Sequence, residues 1–142
     1  VSSINAICQE HRALEARAAQ LLRVVASLVP DTAAVTAVRW GMAQALIAHC
    51  AHEEREIYAP LLASGDAAAV AVVLRCREQH GVLAKRFADY VAGWPIARLS
   101  REWEVFRSET AELMRDLNRR IAVEEAELLP HFERLADRRA AA

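Results

Sequence analysis

Glycine and proline are scarce, with four of each in 142 residues. Alanine and leucine are heavy in their place, and 54% of the chain is hydrophobic. That balance excludes a disordered chain and suits a soluble, all-helical protein. An excess of charge is lacking too. The formal net charge is -1, so no global field points to nucleic acid or to a membrane surface. The short basic pairs Arg119-Arg120 and Arg138-Arg139 have acidic neighbours and read as solvated faces.

Cysteine is limited to Cys8, Cys50 and Cys76, an odd set at wide spacing. It excludes a disulfide framework and suits reduced thiols in a cytoplasmic protein. No run of about 18 uncharged apolar residues is available to cross a membrane. The stretch Val1-Ser2-Ser3-Ile4-Asn5 lacks the basic and apolar segments of a signal peptide. Also absent are a glycine-rich phosphate loop, a Cys-x-x-Cys pair and a serine in a strained nucleophile turn. By size, residues 1–142 make one domain with a core of its own.

What is present is helical periodicity. Ile4, Ile7, His11, Leu14, Ala18, Leu21, Val25 and Leu28 recur at spacings of three and four, after a cap at Ser2 or Ser3. Pro30-Asp31-Thr32 ends this helix and caps a second, expected from about Thr32 to Leu62. Its stripe is Val35, Val38, Met42, Leu46, His49, Glu53 and Ile57. Ser64-Gly65-Asp66 is a turn. A third helix over about Ala67 to Val91 carries Ala69, Val73, Cys76, His80, Leu83, Phe87 and Tyr90. Ala92-Gly93-Trp94-Pro95 breaks it. The last helix is expected from Ser100 to about Asp137, with Trp103, Phe106, Thr110, Leu113, Leu117, Arg120, Glu124 and Leu128 on one face. Pro130 predicts a distortion within Val123 to Leu129. Heptad-like stripes of this kind imply an antiparallel, up-down-up-down four-helix bundle.

Each stripe is interrupted by groups that a core does not accept unless they bind something or each other. Equal counts of about 19 residues either side of the first turn set His11 opposite Cys50. The same count across the second turn sets Glu53 opposite Arg77, so His11, His49, Glu53 and His80 share one depth. Across the third connection His80 counts to about Ala111, more than two turns short of Glu124. The last helix must therefore overhang, or the connection must travel. There is also an internal echo: Glu53-Glu54 and Glu124-Glu125 each precede an apolar pair and a proline. His52 reads as solvated or paired with Glu56, and His131 as an end group. Cys8, Cys50 and Cys76 read as packing residues. Trp40, Trp94 and Trp103, with Phe87, Phe106 and Tyr90, read as core closure or an interface rather than a cofactor box.

These residues resemble the hemerythrin-like, or HHE cation-binding, family over essentially the whole chain. The likeness rests on the early His11, on His49-x-x-x-Glu53 with Pro60 downstream, on His80, and on Glu124-Glu125 with Leu128-Leu129-Pro130. It implies an up-down-up-down bundle holding a non-heme di-iron centre, ligated by five histidines and two bridging carboxylates, that binds or responds to dioxygen. Carried onto this chain, the metal ligands are His11, His49, Glu53, His80 and Glu124 or Glu125, with Glu124 favoured by the stripe. Two positions depart from the family pattern. Arg120 stands where the final-helix histidine belongs, and one turn either side of His80 are Cys76 and Ala84 rather than a second histidine.

The expectation is thus an atypical iron-binding protein with one full site or a defective pair. Dioxygen or a small oxidant is the ligand, neither nucleic acid nor a membrane is a partner, and homodimer formation is open. No substrate pocket or acid–base pair assigns an enzyme reaction. The rival reading is a metal-free bundle acting through protein interaction, with Arg120, helped by Arg77 or Lys85, replacing the metal charge on Glu53 and Glu124. A further rival, a reactive-thiol sensor, needs an exposed thiol of low pKa.

Overall fold

The computed structural model describes residues 2–142, the side chain of Ser2 excepted. The cap expected at Ser2 therefore lies outside the described side chains. Among the described residues there is no strand. Seven α-helices follow in order: α1 (Ser2–Val25), α2 (Thr32–Glu53), α3 (Ala59–Leu62), α4 (Ala67–Gly93), α5 (Ile96–Arg101), α6 (Trp103–Val123) and α7 (Leu129–Ala141). Two π-helical turns, Glu54–Tyr58 and Glu124–Leu128, join α2 to α3 and α6 to α7. None of the helices is long and apolar enough to cross a membrane.

The helix ends follow local chemistry. Asp31 accepts from the Ala34 N–H to cap α2, and Asp66 accepts from the N–H groups of Ala68 and Ala69 to cap α4. Between α3 and α4 the chain turns at Gly65 with φ +75°, a left-handed conformation that glycine adopts without steric cost. α1 stops at Val25, earlier than its stripe suggested, so Leu28 is 84% exposed.

The π turns have a cause in the residues after them. Pro60 and Pro130 have no N–H, and each ring would strike the carbonyl four residues back. The helix widens just ahead of each: Ala59 N–H reaches Glu54 O, and Leu129 N–H reaches Glu124 O, both five residues back. One extra residue per turn brings two neighbours inward together. Ile57 and Tyr58 are both buried, as are Leu128 and Leu129.

α1 packs on α2 and α6, and α4 packs on α2 and α6. The apolar interior falls into two clusters. One holds Leu14, Val35, Met42, Phe87, Tyr90, Trp94, Trp103, Phe106 and Ile121 among others. The second holds Ile7, Ile57, Tyr58, Val73, Cys76, Leu128 and Leu129. On each long helical path a histidine or glutamate stands between the two clusters: His11, then His49 and Glu53, then His80, then Glu124.

The aromatic end is closed by Trp94 and Trp103. The Trp94 indole donates to Glu109 at 2.8 Å, and that of Trp103 donates to the Ser27 carbonyl at 2.8 Å. Trp40, by contrast, is 68% exposed and closes nothing. Phe106 has no exposure and lies against Tyr90, Trp94 and Trp103. Phe106→Ala is expected to cost about 3–5 kcal/mol, read as a lowered urea midpoint.

Candidate metal centre

Four side chains meet at the seam between the apolar clusters: His11 of α1, His49 and Glu53 of α2, and Glu124 at the start of the second π turn. One ligand atom from each lies within 4.8 Å of all the others, and all four residues are buried. His49 Nε2 is 3.0 Å from Glu53 Oε2, and His11 Nε2 is 3.2 Å from Glu124 Oε2 and 3.8 Å from Glu53 Oε2. The His11 and His49 rings meet edge to face with centroids 4.8 Å apart. Close as they are, these atoms do not satisfy one another. His11 Nε2, both oxygens of Glu53 and Oε2 of Glu124 are buried without a hydrogen-bond partner. Native interiors leave few polar atoms orphaned, and four orphans at one point describe a place for a cation.

The outer nitrogens are engaged. His11 Nδ1 lies 2.7 Å from Glu125 Oε2, and His49 Nδ1 lies 2.9 Å from Glu10 Oε1. A carboxylate accepts from Nδ1–H, which leaves the lone pair on Nε2, the nitrogen that faces the centre. Metal-ligating histidines are oriented in this way by their outer partners. Glu125 is held in turn by Arg12, and Glu10 also meets His52 Nδ1 at 2.5 Å.

His80 stands one contact away. Its Nε2 meets Glu124 Oε1, and its Nδ1 shares a 3.0 Å hydrogen bond with the Tyr58 hydroxyl. The structure thus brings His11, His49, Glu53 and Glu124 into one group and sets His80 against it through Glu124.

Electrostatics follow from burial and neighbours. Burial alone would pull the His11 imidazole down, but the carboxylates of Glu124 and Glu53 push it up to about 10. Burial would raise Glu53, yet His11 and His49 hold it well below the usual carboxylate range. Glu124 is raised to about 7, chiefly by burial, with the charge of Glu53 adding to this and His11 opposing it. Burial keeps His80 below the ordinary histidine value. Without a cation, protons balance the two carboxylates.

Three sequence readings are corrected. Arg120 does not neutralise Glu53 or Glu124, whose close partners are histidines. Arg77 pairs with exposed Glu54, and Lys85 with exposed Asp89. His52 pairs with Glu10 rather than Glu56, because it lies beside α1. No cysteine is exposed, and burial raises all three thiols, Cys50 and Cys76 to about 11. The reactive-thiol reading loses its requirement. Of the alternatives Glu124 and Glu125, Glu124 joins the cluster and Glu125 instead holds His11 Nδ1 from outside; Glu10 and Tyr58 were missed as parts of the site. Glu10 and Glu125 each sit beside a stripe residue, and Tyr58 turns inward only through the π turn.

The fold and the site together define a class: a helical protein with a buried histidine–carboxylate cluster that can hold a metal ion. The hemerythrin HHE cation-binding domain model matches residues 2–132, and the chain belongs to that family. No curated protein and no solved structure matches the chain.

A pH dependence follows for protein stripped of metal. The folded pKa of His11 lies above its ordinary 6.5, so its stabilisation is full below pH 6.5 and lost as pH rises towards 10. Glu53 acts with the opposite sign: its contribution is present above its ordinary 4.5 and lost as pH falls below it. Urea midpoints of chelator-treated protein should decline on both sides, and His11→Gln should flatten the alkaline decline.

Proposed function

We propose that this is a metal-binding protein that holds one iron ion per chain through His11, His49, Glu53 and Glu124. His80 would serve as a further ligand or as the group that orients Glu124. The supporting architecture is one domain of four long helical paths running alternately up and down. Antiparallel running is supported by partner numbers that fall on one helix as they rise on the next. The pairs His80–Glu124, Arg86–Asp116 and Tyr90–Thr110 do so between α4 and α6 with the π turn that continues it. Arg39–Trp94 and Arg77–Glu54 do so between α2 with the π turn after it and α4 with its C-terminal cap.

The observation that carries the reading is the convergence of four buried, unpartnered ligand atoms with both imidazoles held from outside by carboxylates. Imidazole and carboxylate donors fit iron. They fit a single ion better than two. The second histidine expected near His80 is absent, and Arg120 and Ala84 stand where further imidazoles would be needed. Iron in such a set supplies affinity for dioxygen or a small oxidant and a redox couple to act on it. The chain's own residues fix the donors. Glu10 and Glu125 set the histidine tautomers, and Ile7, Leu14, Ile57 and Leu128 exclude water on either side. Tyr58, raised by burial and by the charges of Glu53 and Glu124, keeps its proton and its bond to His80.

Elemental analysis of protein expressed with added iron should find about one iron per chain, bound tightly enough to survive purification. His49→Ala and Glu53→Ala should each lose most of it. Glu10→Gln, which touches only the outer nitrogens, should weaken metal affinity about 10- to 100-fold. Wild-type protein free of every metal would overturn the reading, and two irons per chain would overturn its single-ion form.

A further inference from the structure

A cavity of about 640 Å3 runs from the metal centre along α4, between α2 and α6. Its α4 wall extends from His80 to Ala92, roughly 18 Å at the rise of a helix. Small residues leave the space: Ala43 of α2 and Ala84, Ala88 and Ala92 of α4 all line it, and their methyl groups fill little of it. Beyond these the lining is aliphatic and aromatic, with Leu46, Leu83 and Phe87 among it. Ionisable nitrogens and carboxylates come at one end only, from His49, His80, Glu124 and Arg120.

At that end Arg120 is unanswered. Its Nε and Nη2 are buried without a hydrogen-bond partner. Glu124, one turn further along the helix, makes no hydrogen bond to it and lies against His80 and His11. The Arg120 side chain is half-buried, and the two buried nitrogens of its planar fork can take a carboxylate through two parallel bonds. The charges nearby narrow the choice. Glu53 and Glu124 would repel a dianion such as a phosphate monoester, whereas a single negative charge on Arg120 is tolerated. An apolar body is required by the rest of the lining.

We propose that this cavity binds an aliphatic monocarboxylate, a fatty acid of medium chain length, with its carboxylate on Arg120 and its hydrocarbon tail along α4 between the alanines. The tail's apolar environment comes from α2 and α4, and the head lies beside His80 and His49. The site needs only Arg120 and the cavity, so it stands whether or not iron is bound.

Calorimetric titration of the purified protein with decanoate, below its micelle concentration, should give one molecule per chain. Arg120→Leu should weaken decanoate binding about tenfold to a hundredfold. The neutral alcohol of the same length should bind wild type and variant alike. Ala88→Trp, a substitution at an exposed position on the cavity wall, should block both ligands without disturbing the interior. Metal content measured on the same Ala88→Trp sample should match wild type, which separates this proposal from the metal reading. Absence of decanoate binding to wild type, or equal affinity for wild type and Arg120→Leu, would overturn the proposal. Undiminished binding to Ala88→Trp would do so as well.

Discussion

Two carboxylates, Glu53 and Glu124, are buried in an otherwise apolar interior, and the rest of the structure answers to them. An ionised group taken out of water costs several kcal/mol even after the protein relaxes around it. Here two stand together, so positive charge must be supplied where they meet. His11 and His49 supply it as protonated imidazoles when nothing else does, which is why His11 is pushed so high. A metal ion supplies more charge at the same point and needs imidazoles that have lost their inner protons. The cluster's charge can therefore be balanced in two ways, by protons or by a cation. Glu10 and Glu125 hold the His49 and His11 rings in the orientation that serves both.

Delivering these groups to one depth depends on the two prolines. Each forces a wide turn just ahead of it, and each wide turn begins at or beside a buried glutamate. Glu53 is the last residue of α2, and Glu124 opens the second π turn. The widening lets Glu124 face inward while Glu125 reaches back to His11 Nδ1. In a regular helix the two would diverge by about 100° and could not both serve one imidazole. On α3's approach the same device turns Tyr58 towards His80. Backbone irregularity and site chemistry are thus one feature, as π turns at functional sites often are.

Much of this was legible before any coordinates. The three- and four-residue periodicity named most buried positions of α1, α2, α4 and α6, though not Arg39, Met114 or Ile121, because burial of one face follows from helical pitch. Equal counting from the first two turns put His11 beside α2's histidine and Glu53's level beside Arg77, which does pair with neighbouring Glu54. The internal echo of Glu-Glu and proline marked both π turns, though only the second was read as a distortion. What periodicity could not reach was the path of the connections and the ends of long side chains. Counting across the third connection missed because α5 inserts a helical segment before Trp103, so His80 meets Glu124 rather than Ala111. Arg120 lies on its stripe, yet stripe membership fixes only the direction of Cα–Cβ. A side chain that long places its charge elsewhere.

Arg120 and Ala84 line one cavity beside His80. Alanine leaves volume there, and arginine brings a positive charge. That charge sits on a side chain that donates hydrogen bonds through a planar fork. The result is a lined cavity with a fixed cation at one end. The cavity opens to solvent along α4, where Ala84, Ala88 and Ala92 are exposed. Ala43, Ala88 and Ala92 keep it open where leucine would pack it shut. The open volume and the unanswered guanidinium explain each other if an apolar anion completes the core.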